Sequence, residues 1–316
     1  MTLKPSGAAP MSYVLMDEIE ITEIPPLAPG EQSLLDFHSV VNVINVLNCE
    51  LIVLGFTAAN DDSFFSDGLA LCDRIMASLH DHDLALREAA KVDEMERIVL
   101  DELERKLADR PDPGPEIVET LANIRSVFEI LKVRARELLA RSAAPEKWEE
   151  FDAEHLRRNF ADVFAAIERN SRGRYRILYN AACQQPGDYY VDFKIETGAG
   201  DRLMMPPVLQ DVMRDLIANA RKYTPPGGHI TAALYADARE LRFVVRDDGK
   251  GIPPDEIRQV VAFGKRASNV GTVRTMGGGF GLTKAFLVTK QFGGRFWIAS
   301  ELGHGTQVRL WLPRPA

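Results

Sequence analysis

The chain has 316 residues, of which 46% are hydrophobic, and 46 acidic side chains against 38 basic ones give a net charge of −8. That length suggests about two domains with ample material for a core, and the acidic balance argues against nucleic acid or an anionic membrane surface as the main partner. Cys49, Cys72 and Cys183 are scattered without metal spacing and read as reduced thiols of a cytoplasmic protein; no apolar run reaches the ~18 residues of a membrane span, and no signal peptide precedes Met11.

Residues 1–30 are rich in proline and small residues and read as a tail with a strand-like patch at 18–24. A helix is expected from 31 to about 56, with Leu34, Phe37, Val41, Ile44 and Leu51 on a heptad-like stripe that also holds Asn48. Asn60-Asp-Asp-Ser ends it. A second, long helix is expected over about 68–108, with a break near His80-Asp-His82-Asp and a strongly charged later half. The proline-rich run 110–115 stops that helix. A third follows over 116–140, with Ile117, Leu121, Ile124, Val127, Phe128 and Leu131 on one face. Residues 31–145 therefore read as an antiparallel helical bundle.

The character changes at 144–148, a linker. An amphipathic helix capped by Asp152 runs to 170, and strands are expected at 175–179 and 189–195 around a Gln-Pro-Gly turn. Leu209, Val212, Met213, Leu216, Ile217 and Ala220 recur at three and four, the mark of another helix, with Asp211, Asp215, Asn219 and Lys222 on its opposite face. Strands at 229–235 and 240–246 form a hairpin-like pair. A long loop over 263–276, a helix over 282–292 and closing strands at 296–300 and 306–312 complete an α+β chain, its one sheet covered on one face by helices.

Three clusters in this half carry chemistry. Asp215, Asn219 and Lys222 place a carboxylate, an amide and an ammonium in one helical row. The oxygens suit magnesium, and the ammonium suits phosphate. Asp247 ends a strand and is followed by Gly249, Gly251 and Ile252: a lone acceptor for an exocyclic amine, beside backbone with no side chain to obstruct a ligand. Gly277, Gly279, Gly281 and Leu282 open a helix whose bare N–H groups suit phosphate, with Lys265, Arg266 and Arg274 in the loop before it.

In order, spacing and context the three resemble the N, G1 and G2 boxes of the GHKL ATPase superfamily, and the string Asn219-Ala-Arg-Lys222-Tyr223-Thr224 resembles its sensor histidine kinase branch. The resemblance spans roughly 151–313. It implies a Bergerat-fold α/β sandwich over 146–316 that binds ATP and magnesium. Asn219, with Asp215 as a second candidate, would hold the metal; Lys222 and Tyr223 would flank the nucleotide, and Asp247 would read adenine. Thr306, in the later Gly303-x-Gly305-Thr306, also fits the family. The family usually has asparagine where Asp215 stands.

The resemblance also implies that 31–145 is a helical hairpin which pairs with a second copy as a four-helix bundle and carries a phosphorylated histidine near its start. His38 is the only histidine there. Asn42 stands four residues on, where the family often places a residue that positions water for dephosphorylation. The residue after the histidine is usually acidic, and here it is Ser39. The expected function is a two-component histidine kinase that labels His38 and passes the phosphoryl group to the receiver domain of a response regulator. The alternatives are a non-catalytic or phosphatase-biased dimeric module, or a GHKL kinase acting on serine or threonine.

Overall fold

In the computed structural model the described residues are 16–108, 114–170, 173, 175–179, 183–198, 200–271 and 279–315. Among the described residues six helices form the first domain: α1 Pro29–Asp36, α2 His38–Ala59, α3 Ser66–Ser78, α4 His82–Ala89, α5 Val92–Leu107 and α6 Pro115–Ala143. The single helix expected over 31–56 is broken at Phe37. Leu35 and Phe37 are both fully buried, yet two residues apart on one helix they would face nearly opposite ways. The break lets both enter the core, and it makes His38 the first residue of α2.

The long helix expected over 68–108 is three. The break at 79–81 falls where the sequence placed it, and the Asp81 carboxylate caps α4 by accepting from the Leu84 N–H at 2.9 Å. A second break, at Ala90-Lys91, is new. The charged stretch is no solvated flank: Val92, Met95, Val99 and Leu103 of α5 are buried. Glu102 is buried too, and its carboxylate accepts from the Asp67 and Gly68 N–H groups at the start of α3, at 3.1 and 2.8 Å, where a helix dipole favours an anion.

Helix α2 packs on α3 and α6, and α5 packs on both of those. Four helices of one chain thus close around Ile44, Leu47, Leu51, Phe65, Val99, Ile124 and Phe128. The sequence reading drew these four from two chains; here no second copy is needed to cover the core. Helix α2 is also, by length and composition alone, long and apolar enough to cross a membrane, contrary to the expectation of no such segment. Its Ile44, Leu47, Leu51 and Leu54 are buried inside the bundle.

Nine strands are found among the described residues: β1 Ile19–Ile21, β2 Glu149–Asp152, β3 Ile177–Leu178, β4 Tyr189–Thr197, β5 Arg202–Met205, β6 His229–Ala236, β7 Glu240–Asp247, β8 Arg295–Glu301 and β9 Gly305–Pro313. Seven form one sheet in the order β1-β8-β9-β7-β6-β4-β3, and β2 pairs with β5 apart from it. Strands β3 and β4, expected on either side of a Gln-Pro-Gly turn, pair in parallel. Helices α7 Ala153–Asn170, α8 Val208–Tyr223 and α9 Gly281–Gln291 cover the sheet. Leu241, Phe243 and Val245 alternate inward from β7 to meet them. Asp152 caps α7, as expected.

The described part of the amino-terminal tail joins this second domain. Its strand β1 extends the sheet beside β8, Ile21 is buried in the core, and Glu18 and Glu20 pair with Arg309 and Arg295. The bundle is therefore joined to the sheet domain at both of its ends.

Candidate functional site

One cleft gathers the residues that the sequence singled out. Its empty space, counting solvent at the mouth, is about 1270 Å³. His38, Asn42, Asp215, Asn219, Lys222, Tyr223, Asp247, Gly251, Ile252, Gly279, Gly281, Leu282 and Thr306 all line it. Gly249 does not; its N–H donates to the Asp247 carboxylate at 2.9 Å from behind. Gly277 and Arg274 lie outside the described residues.

Helix α8 supplies the floor. Its apolar face is buried against the sheet, which turns Asp215, Asn219 and Lys222 in successive turns toward the cleft. Asp211, one turn earlier in the same row, is buried instead. The opposite wall is the start of α9. A Cβ on Gly281 would stand 2.6 Å from the Asn219 amide nitrogen, so a larger residue there would push that amide aside. The result is bare helix-start backbone beside an amide side chain whose oxygen is a hard metal ligand, a set that fits a metal-bound polyphosphate.

Asp247 lies at the deep end, paired in register with Thr306 of β9. Burial pushes its carboxyl up to about 7, against the lowering effect of the Gly249 and Thr306 N–H groups. Gly251 beside it has a φ of 65°, and a Cβ there would collide with the Glu301 carbonyl. Ser300 Oγ accepts the Ile252 N–H at 2.8 Å and ties the loop to β8. Lys222 is half-buried near the mouth. Burial, then the neighbouring Arg266 and Arg221, lower its ammonium to about 8.

His38 comes to this cleft from the other domain. It is 7% exposed and meets Phe280 edge-on at 5.4 Å; Phe280 in turn stacks on Phe263 at 4.6 Å. Its Nδ1 lies 3.9 Å from Asp215 Oδ2 and has no hydrogen-bond partner among the described residues. The Asn42 amide nitrogen lies 3.3 Å from Nε2. A donor there leaves the lone pair on Nε2 and the proton on Nδ1, toward Asp215. Burial lowers the His38 pKa; the Asp215 carboxylate opposes this. The imidazole is thus neutral near pH 7.

Several contributors escaped the sequence reading. Phe280 was hidden inside a run read for its glycines. Lys284 Nζ, buried on α9, lies 3.3 Å from Asp215 Oδ2. Asp211 is held by Arg134 and Arg141 of α6; the seven-residue spacing of those arginines marks a shared face, but nothing in the sequence names its partner.

Cleft, glycine-backed carboxylate and helix-start cradle lie in the part of the chain that the comparisons match. Residues 205–316 match the family described as histidine kinase-, DNA gyrase B- and HSP90-like ATPase. Curated relatives that the chain resembles include sensory kinases. The chain is 37% identical over 113 residues to the adaptive-response sensory kinase SasA of Synechococcus elongatus, covering 34% of this chain and 28% of that protein. It is 34% identical over 107 residues to the sensor histidine kinase WalK of Bacillus subtilis, covering 33% and 18%. The chain thus spans under a third of the length of these relatives. The catalytic domain of histidine kinase ThkA aligns at a TM-score of 0.38 with 20% identity over 53% of this chain and 97% of its own.

Proposed function

We propose that this chain is a two-component protein-histidine kinase: it binds ATP and magnesium in the cleft, phosphorylates His38, and passes the phosphoryl group to an aspartate of a response-regulator receiver domain. The observation that carries the proposal is that His38, from the bundle, lines the same cleft as Asn219 and Asp247. Asp247 accepts from the adenine amine, Lys222 and Tyr223 flank the nucleotide, and the start of α9 receives phosphate. Asn219, with Asp215 beside it, would hold magnesium, which neutralises phosphate charge when bound. The Lys284 ammonium beside Asp215 competes for that carboxylate, so Asn219 is the firmer ligand.

The Nε2 lone pair of His38, once released from the Asn42 amide, attacks the terminal phosphorus. The N–P bond forms as the bond to the bridging oxygen breaks, and ADP leaves with that electron pair. The imidazole proton leaves through Nδ1, on the side of Asp215. The protein's part is positioning and charge neutralisation. Incubation with γ-labelled ATP tests this: label that is acid-labile and base-stable is expected on the parent chain, and none on His38→Gln, which still binds nucleotide. Label that persists on the variant sinks the assignment.

A phosphatase-biased function is the second reading, supported by the Asn42 amide 3.3 Å from Nε2, where it can orient water. Regulator dephosphorylation that survives His38→Gln but not Asn42→Ala selects it. We also propose a cytoplasmic homodimer. The exposed Val53 and Phe56 of α2 and Val118, Ile130 and Val133 of α6 supply an apolar face for the second copy.

A further inference from the structure

We propose that His38 takes its phosphoryl group from the nucleotide bound in its own chain, and that Asp211, with Arg134, Arg141 and Lys284, is the positioning cluster that seats the bundle for that transfer. The inference rests on the reading of His38 as phosphoacceptor and narrows it to one chain.

The seat is built on α8. Asp211 and Asp215 lie one turn apart, and Asn219 one turn beyond. The first carboxylate faces the bundle. Arg134 Nη1 lies 3.3 Å from Asp211 Oδ1, and Arg141 Nη1 pairs with Oδ2. From its own domain Asp211 receives Arg214 at 3.6 Å and Lys284 at 3.8 Å. Burial alone would raise its pKa, but these four cations hold it well below the carboxylate range. Lys284 also reaches Asp215 at 3.3 Å, and Asp215 faces His38 at 3.9 Å. One row of side chains thus ties α6, α8, α9 and α2 together.

A buried carboxylate among four cations has little freedom to slide. Moving the bundle along α8 strips Arg134 and Arg141 from Asp211 and leaves charge uncompensated in the interior, which is strongly unfavourable. The register of His38 against Asn219 is therefore set by residues that touch neither nucleotide nor imidazole. Two further contacts hold the same arrangement: Gln291 Nε2 of α9 donates to the Pro145 carbonyl of the linker at 3.1 Å, and β1 joins the sheet just before α1. Transfer between chains would require His38 to leave a cleft wall it already forms, sealed by Phe280.

The experiment co-expresses the parent with a longer, tagged Asn219→Ala chain, so that mixed pairs form, and follows labelling by γ-labelled ATP with the chains separated by size. Label on the parent band alone is expected, with a rate per chain that stays constant over a wide dilution. Label on the tagged variant overturns transfer within one chain while leaving His38 as acceptor. An unlabelled parent removes the underlying reading, and this inference with it. For the positioning cluster, Arg141→Gln and Asp211→Asn should each slow labelling at saturating ATP at least tenfold with ATP affinity unchanged. A purely structural role lowers the melting temperature but leaves the rate of the folded protein alone. If Asp211→Asn does not fold, Arg141→Gln decides: an unchanged rate at full nucleotide occupancy overturns the positioning role.

Discussion

In the sheet domain, Asn219, Asp247 and Gly281 each stand within a short run of neighbours that shapes the same corner of the cleft. In the bundle, His38 meets Asn42 from its own domain and Asp215 and Phe280 from the other. A site built from turns, strand ends and a helix start writes itself into local sequence, because backbone geometry demands particular residues within a few positions. A side chain that acts at an interface leaves a far weaker local trace. The two regions also differ in what a substitution should disturb.

The largest effect is expected in the bundle core. Phe128, fully buried among α2, α5 and α6, should cost about 3–5 kcal/mol of stability when changed to alanine. Thermal and urea unfolding would register this, with nucleotide affinity at low temperature little changed; an equal loss of affinity would mean that the two domains do not separate in this way. Next comes Gly281→Val, which drives a side chain into the Asn219 amide. Overpacking of about 3 kcal/mol predicts a loss of nucleotide affinity of about 100-fold by calorimetry, with little change in bundle melting.

Asp247→Asn replaces the carboxylate at the deep end with an amide and should weaken nucleotide binding about 10- to 100-fold. It also sharpens the electrostatic account. With its pKa raised to about 7, folded Asp247 keeps a proton that the unfolded carboxyl, near 3.8, has released. The folded state binds more protons across that window, so this group's contribution to stability falls as pH rises from about 4 to 7. Melting temperatures at pH 5 and pH 8 should show the asparagine variant gaining on the parent at the higher pH; a gain at pH 5 alone contradicts the burial argument. The smallest effect belongs to Glu18→Ala. Its exposed pair with Arg309 should be worth under about 1 kcal/mol, so a large loss of stability would mean that the tail strand does far more than add an edge.

The sheet domain was largely legible in the sequence: hairpin, closing strands, Asp152 cap and cleft-lining row of α8 lie close to where periodicity and turn residues placed them. The parallel β3–β4 pairing was not, because a Gln-Pro-Gly turn specifies a bend and not the direction of the strand that follows. In the bundle, the break at Phe37 was hidden inside an unbroken apolar run, since only the core decides that Leu35 and Phe37 must point the same way. The closure of four helices within one chain was hidden for a related reason: the charges of α5 masked Val92, Met95, Val99 and Leu103. Asp211 was read as part of an outward row, and its burial depends on arginines some seventy residues earlier.

The joining of one imidazole and one nucleotide cleft into a single site is tested most directly by locating the phosphate. After incubation with ATP and magnesium, peptides kept at alkaline pH and sequenced by mass spectrometry should carry it on His38. Phosphate on any other residue, or none on a chain that binds nucleotide, would contradict that union.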